Sequence, residues 1–153
     1  MKPISKFFSE VRYFTALAFL CGVSAIFTGC SKGSDAAPSQ ADQVKATLMA
    51  SPWKIKTMTV DGVDKTSLFT NFSITFSATG YTTTKGGPVW PTTDSWSFTD
   101  ASATAFNRGD GITVQLLEAT TSSLKMSFAW NKNTFGPGRV ESVSGQTVFA
   151  MGH

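Results

Sequence analysis

From Trp53 onwards, apolar and polar residues alternate with a period of two, in short runs separated by turn residues. The clearest run spans residues 124–130, where every second residue is large and apolar: Leu124, Met126, Phe128 and Trp130. Because successive side chains of a strand point to opposite faces, this pattern predicts strands with one apolar and one polar face. Turn residues separate the runs, as at Asp61-Gly62 and in the segment RGDG at 108–111, which is typical of hairpins.

The alternation predicts an all-β fold of about eight short strands. Their expected positions are residues 53–60, 72–77, 81–84, 95–99, 103–107, 112–116, 124–130 and 140–151, the last one bent near Gly145. In the first strand, Trp53, Ile55 and Thr57 are expected to share one face. Short connections favour pairing between neighbours and hence an antiparallel meander. We expect this meander to close into a barrel, because closure removes the exposed edges; a two-layer β-sandwich is the alternative.

One short helix is expected before the strands. Ser39 stands three residues before Asp42, a spacing typical of the capping box that opens a helix. The apolar residues that follow recur on one side of such a helix: Ala41, Val44 and Leu48. Pro52 disfavours helical geometry at the preceding residue, so the helix is predicted to end before it.

The N-terminus has the pattern of a secretory signal. Three basic residues and one acidic residue precede an uncharged run at 13–29: Lys2, Lys6, Arg12 and Glu10. A membrane-spanning helix needs roughly 20 apolar residues, whereas this run is short and contains threonine, serine and glycine, which reduce the gain from insertion. We expect residues 1–29 to be cleaved as a signal peptide. An uncleaved anchor and a freely secreted product are the alternatives.

The segment Phe27-Thr28-Gly29-Cys30 resembles the lipobox of bacterial lipoproteins, in which an apolar residue and two small residues precede a cysteine. The resemblance implies that Cys30 carries a diacylglycerol thioether and becomes the first residue of the mature protein. One acyl chain binds a bilayer only marginally, whereas two or three chains anchor a protein stably. The expected partner of Cys30 is therefore a membrane, to which the protein is tethered without spanning it.

Residues 30–40 are rich in serine, glycine, alanine and proline, a composition typical of a flexible tether. A single domain at 41–153 is expected to follow the tether. The inner-membrane retention signal of lipoproteins has an aspartate after the cysteine, and Ser31 stands there instead. The resemblance thus implies a cell-envelope location at the outer membrane, on either its periplasmic or its external face.

The composition of the mature domain argues against nucleic acid as a partner and against disulfides as a source of stability. Without residues 1–29 the basic and acidic residues nearly balance, and no basic patch remains of the kind that binds nucleic acid. Of the two cysteines, Cys21 leaves with the signal peptide and Cys30 is lipidated, so no disulfide is expected. Stability must then come from apolar burial, for which the mature domain has eight phenylalanines and four tryptophans.

Residues suited to catalysis are scarce. His153 is the only histidine of the chain and its terminal residue, where we expect the chain to fray. Cysteine-histidine and serine-histidine catalysis and histidine metal sites all need a positioned imidazole. Most carboxylates fall in predicted turns, where aspartate is favoured for turn geometry alone. We therefore predict no enzymatic activity, no metal site and no cofactor.

Several segments together carry a family resemblance. They are SPWKIKTMTVDG, FSITFSATGYTTT, DSWSFTD and LKMSFAW, and they resemble the lipocalin-like domains of lipid-anchored envelope proteins common in Bacteroidota. The resemblance covers roughly residues 45–151. It implies a lipocalin-like barrel in which Trp53 lies near a closed end that the short helix covers.

Two functions are compatible with such a barrel, because the interior of eight strands is either filled by side chains or holds one small ligand. In the first, which the resemblance favours, the protein binds a small hydrophobic molecule in a cavity lined by Trp53, Ile55, Phe76, Trp96, Phe98, Met126, Phe128 and Trp130. In the second, the barrel is packed and binds an envelope protein through its surface, as an accessory subunit or an inhibitor. Trp90, in a loop between Pro88 and Pro91, is a candidate exposed aromatic or else folds over the end of the core.

Overall fold

The structure, a computed structural model, describes residues 37–132 and 143–153. The predicted signal peptide, Cys30, most of the tether and residues 140–142 of the predicted last strand lie outside this part. The described elements are helix α1 (Gln40–Met49), a 3-10 turn (Thr66–Phe69) and strands β1 (Trp53–Val60), β2 (Val63–Asp64), β3 (Ser73–Phe76), β4 (Gly80–Thr84), β5 (Thr93–Phe98), β6 (Ala105–Arg108), β7 (Thr113–Ala119), β8 (Ser123–Trp130) and β9 (Gly145–Gly152).

Eight strands form a closed antiparallel barrel. The order is β1-β3-β4-β5-β6-β7-β8-β9, and β9 pairs back with β1 to close the sheet. The two-residue β2 pairs with the far end of β1 in the first hairpin. The predicted meander and the lipocalin-like barrel are confirmed, and the sandwich alternative is wrong. Each of the eight barrel strands has a partner on both sides, which removes the free edges of an open sheet.

The two ends of the barrel are closed by different elements. At the helix end, where β1 begins, the Trp53 indole donates a hydrogen bond of 3.0 Å from Nε1 to the carbonyl oxygen of Leu48 in α1. The capping box is present as predicted, because the Asp42 amide donates to Ser39 Oγ at 3.1 Å and the Ser39 amide to the Asp42 carboxylate at 3.3 Å. At the loop end, where β4, β6 and β8 finish, the loop between β4 and β5 folds into the barrel.

Two β-bulges interrupt the simple alternation. The register between β1 and β9 shifts between Ile55 and Thr57, so Met58 is buried while Thr57 is exposed. The prediction that Thr57 shares the face of Trp53 is therefore wrong. A second shift lies in β7 next to Leu117, which is 57% exposed. In each case an extra residue in one strand reverses the facing of the residues that follow it.

Aromatic rings in mutual contact fill the middle of the barrel. Phe128 of β8 and Phe149 of β9 stack with their centroids 5.8 Å apart. Phe149 also meets Phe72 and Phe69 edge-on, at 5.6 and 5.1 Å. Edge-on and offset contacts of this kind stabilise a core beyond the area they bury. The absence of disulfides among the described residues is thus compensated by aromatic packing.

Candidate functional site

The loop between β4 and β5 places Trp90 inside the loop end of the barrel. Trp90 is only 2% exposed, so the alternative of an exposed aromatic is wrong and the alternative of a residue folded over the core is confirmed. Its amide donates to the Gly86 carbonyl oxygen at 3.2 Å. A Cβ atom at Gly86 would lie 2.6 Å from Cβ of Trp90, closer than real Cβ contacts allow. The close approach of the two residues therefore requires glycine.

Arg108, the last residue of β6, points into the same end of the barrel. Its side chain is fully buried, and Nη2 lies 2.6 Å from Oδ2 of Asp110 in the following turn. The guanidinium carbon is 4.6 Å from the centre of the Trp90 ring and 5.5 Å from that of Phe128, which is within the range of cation–π attraction. A buried charge is costly unless it is paired, and one carboxylate together with two ring faces compensates this one.

Several hydrogen-bond donors at this end have no acceptor among the described residues. They are Nε and Nη1 of Arg108, the Tyr81 hydroxyl, and Nε1 of Trp90 and of Trp130. Tyr81 and Trp90 are in contact, with ring centroids 5.6 Å apart. We refer to Arg108, Tyr81 and Trp90 as the donor cluster. Because buried donors without acceptors are rare and costly, the donor cluster is suited to receive an acceptor group.

The Tyr81 hydroxyl is a donor throughout the neutral range. Burial, the largest effect, raises the pKa of Tyr81 well above its ordinary value, and the charges of Asp94 and Asp110 raise it further. The nearby Arg108 acts in the opposite direction, both through its charge and as a donor beside the hydroxyl oxygen, and is outweighed. Tyr81 therefore keeps its proton and is a poor base or nucleophile.

Two carboxylates surround the charged member of the donor cluster. Asp110 is the ion-pair partner of Arg108, and the Asp110 amide donates in turn to Oδ2 of Asp94 at 3.1 Å. Asp94 also accepts a hydrogen bond of 2.8 Å from the Ser95 amide. Together, the guanidinium and these two carboxylates carry no net positive charge.

The predicted cavity-lining residues are dispersed through the core. Trp53, Phe76, Trp96, Met126, Phe128 and Trp130 are buried, while Ile55 and Phe98 are partly buried. Of these, Phe128 contacts both Trp90 and Arg108, and Trp130 lies two residues further along the same face of β8. Trp53 lies at the helix end instead. The other rings pack against one another, as Phe76 does with Trp96 at 5.5 Å.

Arg108 was not among the site residues predicted from the sequence, although the sequence contains a pattern that indicates its inward position. The segment RGDG was interpreted as a turn only, and Arg108 was not assigned to a strand. Arg108 lies two residues after Phe106 in β6, so it shares the inward face of that phenylalanine. A charged residue at an inward position of a predicted strand is the pattern that would have identified it.

A groove of about 450 Å³ lies on the outer wall of the barrel, across β1, β7, β8 and β9. It is lined by Thr57, Thr59, Leu117, Glu118, Ser123, Lys125, Val148 and Ala150. The two β-bulges border it, since Thr57 and Leu117 lie at the register shifts. A smaller cavity of about 350 Å³ lies beside Lys54, Ile55, Asn71, Phe72 and Ser73.

The terminal histidine packs against the barrel, so the prediction that it frays is wrong. The ring of His153 lies 4.2 Å from that of Trp53, and its Nδ1 is 3.1 Å from the Pro52 carbonyl oxygen. Its Nε2 is 3.5 Å from Ser51 Oγ, which is too long for a hydrogen bond that activates a nucleophile. Within residues 37–132 and 143–153, no three His, Cys, Asp or Glu side chains are grouped to hold a metal ion.

The fold and the site together define a lipocalin-like barrel with a buried donor cluster at one end. No family model, curated protein or solved structure matches the chain. In the described part, no helix has the length and apolar character needed to cross a bilayer.

Proposed function

We propose that the protein is a lipid-anchored module of the cell envelope, tethered through Cys30 at the outer membrane, that binds a small hydrophobic ligand at the loop end of its barrel. The observation that carries the proposal is the donor cluster, a group of buried donors without acceptors beside an apolar interior. Ligand sites commonly combine apolar walls with a few convergent polar groups. The N-terminal pattern of residues 1–30 supports the anchor and the location.

The packing of the interior limits the size of the ligand. Phe128, Phe149 and Trp90 contact one another in the middle of the barrel, where a long acyl chain would have to lie. At the loop end, by contrast, the interior is covered by a loop rather than by a strand. A loop can move without breaking the sheet, so we place the ligand there and expect a compact molecule.

Binding, rather than catalysis, is the role that suits the donor cluster. Arginine side chains donate hydrogen bonds and have no acceptor, and the raised pKa of Tyr81 keeps the hydroxyl protonated. Groups of this kind orient a ligand by donating hydrogen bonds to it. They do not supply the base or the activated nucleophile that most hydrolytic and transfer reactions need.

A titration of the mature lipoprotein in lipid nanodiscs tests this function. The ligands are fatty acids of increasing length, haem and small aromatic compounds, with empty nanodiscs as the control. We expect saturable quenching or shift of tryptophan emission with compact ligands, and a loss of that response in Arg108→Met. If no ligand of the panel gives a saturable response with the native protein, the binding function is wrong.

A second candidate function, binding of an envelope protein, is favoured by the outer-wall groove. Leu117 is 57% exposed at its rim, and β-bulges often occur beside binding sites. A photo-crosslinker at Thr59 in the floor of the groove tests this function in cells. A specific adduct that is lost in Leu117→Glu but retained in Val63→Glu would support it. Val63 is a matched control because it is 59% exposed on β2, outside the groove.

A further inference from the structure

The space that Trp90 occupies has the shape of a flat ring. The Phe72 ring lies nearly parallel to the indole, at 28° and 6.0 Å. Three other rings meet the indole edge-on: Tyr81 at 82°, Phe128 at 88° and Phe149 at 85°. The guanidinium of Arg108 lies over one face of the indole. We refer to this space as the indole slot.

The indole matches the slot in shape but not in hydrogen bonding. Its only polar atom, Nε1, is a donor, and it lies among other donors that are themselves without acceptors, those of Arg108 and Tyr81. A flat ring that carries an acceptor would fill the same space and also receive these hydrogen bonds. In hydrogen bonding, such a molecule would be a better occupant of the slot than the protein's own side chain.

The charges around the slot select between acceptors. Arg108 is already paired with Asp110, and Asp94 is bonded to the same turn. A carboxylate ligand would bring a third negative charge into a buried site with a single positive charge, at a cost in desolvation and repulsion. A neutral carbonyl accepts the same hydrogen bonds without that cost.

We infer that the donor cluster binds a small, flat, uncharged molecule that carries a carbonyl-type acceptor and takes the place of the Trp90 indole in the slot. This inference rests on the proposed ligand-binding function and specifies the class of ligand. The acceptor lies against Arg108 and the Tyr81 hydroxyl, and the ring lies beside Phe72 and Phe128.

Entry of the ligand requires the loop between β4 and β5 to move outwards. Outward movement must expose the buried side chains of Val89 and Trp90. It must also break hydrogen bonds of the loop: the Trp90 amide bonds to Gly86, and Thr83 Oγ1 donates to the Pro91 carbonyl oxygen at 2.8 Å. The loop also begins with two residues of positive φ, Lys85 at 53° and Gly87 at 58°. A left-handed conformation is strained for lysine, so the closed position of the loop has a conformational cost.

Three probes of nearly equal size separate the contributions of shape, acceptor and charge. Acetophenone has a ring and a neutral acceptor, benzoate a ring and an anionic acceptor, and ethylbenzene a ring alone. Their affinities are measured by ligand-observed NMR with the mature lipoprotein in nanodiscs, against empty nanodiscs. We expect acetophenone to bind about tenfold more tightly than either of the others, as one additional hydrogen bond would give.

Two variants assign the preference to the donor cluster. Tyr81→Phe removes only a hydroxyl, so the ring packing is retained, and it should reduce the preference for acetophenone over ethylbenzene severalfold. Arg108→Met should abolish that preference. The matched control is Trp53→Phe, a buried tryptophan at the helix end of the barrel whose Nε1 donates to the Leu48 carbonyl oxygen at 3.0 Å; it should leave the preference unchanged.

The other outcomes overturn the inference in distinguishable ways. If benzoate binds most tightly, the ligand class is wrong while the binding function stands. If ethylbenzene binds as tightly as acetophenone, or if Tyr81→Phe has no effect, the donors do not take part. If none of the three binds, the inference fails, and the fatty acid and haem titrations decide the proposed function separately. A crystal structure with acetophenone that shows only water at the donors also overturns it.

Discussion

The guanidinium of Arg108 lies 4.6 Å from the centre of the Trp90 indole ring, inside one end of the barrel. The pair joins a strand residue, fixed by the sheet, to a loop residue that reaches the interior only because the loop folds inwards. Arg108 also retains two nitrogen atoms without acceptors among the described residues. The predictions below test the energetic consequences of this arrangement.

Substitutions of Arg108 and of Asp110, which form an ion pair, are expected to have unequal effects on the free energy of unfolding. Arg108→Met replaces a buried charge with an apolar chain of similar length, and the remaining Asp110 is 21% exposed and can be hydrated. Because this variant leaves no fully buried unpaired charge, we expect little change in the free energy of unfolding. Asp110→Asn instead leaves a buried guanidinium without its ion-pair partner, which should lower the free energy of unfolding by about 3 kcal/mol. Urea denaturation checks both variants, and equal losses would contradict this account.

Trp90 is expected to contribute to stability as a core residue, although it lies in a loop. Trp90→Ala should lower the free energy of unfolding by about 3–5 kcal/mol, because it removes a large buried side chain and leaves a cavity. Trp90→Phe should cost clearly less, since most of the ring packing remains. A loss below about 1 kcal/mol in Trp90→Ala, typical of a surface site, would show that the indole is not held in the barrel.

Gly86→Ala tests how the loop is held without touching the ring itself. The new Cβ atom would meet Cβ and the carbonyl oxygen of Trp90, so the loop must shift outwards. We expect the tryptophan emission to move to longer wavelength as the indole becomes exposed, and the affinity for acetophenone to rise. An unchanged emission spectrum would indicate that the loop accommodates the methyl group in place.

The stability of the protein should decrease at high pH because of Tyr81. The folded-state pKa is raised above the ordinary value of 10.0, so the neutral form is favoured in the folded state. The stabilisation is fully present below pH 10 and is lost as the pH rises through the folded-state pKa. Tyr81 is the only tyrosine after residue 30, so the ultraviolet absorbance of phenolate reports it directly in the mature protein. A midpoint near 10 would contradict the burial of its hydroxyl.

Tyr81→Phe is the control for this pH dependence. It should remove the decrease of stability above pH 10. At neutral pH it should change the free energy of unfolding little or raise it, because the hydroxyl is a buried donor without an acceptor among the described residues, and such a group is costly to bury.

Leu117 is expected to matter for partner binding and not for folding. It is more than half exposed, so Leu117→Glu should change the free energy of unfolding by no more than about 0.5 kcal/mol. Val63→Glu should behave alike. Urea denaturation of both variants therefore validates the crosslinking comparison, and a large destabilisation by Leu117→Glu alone would indicate that the β7 bulge depends on leucine at this position.

The local features of the chain were predictable because they depend on neighbours in sequence. The period of two in residues 124–130 defines β8, and the spacing of Ser39 and Asp42 defines the start of α1. Turn residues such as Asp61-Gly62 mark the hairpins, and short connections imply pairing between consecutive strands. The class of fold follows from these local signals.

Other features depend on contacts between residues distant in sequence, and only the tertiary structure decided them. The bulges in β1 and β7 arise from pairing with β9 and β8, and they reverse the facing that a strict period predicts for Thr57 and Ala119. Whether Trp90 was exposed or buried depended on the four rings that receive it, Phe72, Tyr81, Phe128 and Phe149. Alternation alone cannot place a loop residue, because a loop has no fixed periodicity.

The candidate site combines both kinds of information. The sequence places Arg108 two residues after Phe106. This spacing suffices to predict a charged side chain that faces the interior of the barrel. That this charge meets Tyr81 and Trp90 follows only from closure of the barrel, which brings separate strands and a loop to one end. Burial then gives these donors their significance, because a hydrogen-bonding group needs a partner only once water has been removed from it.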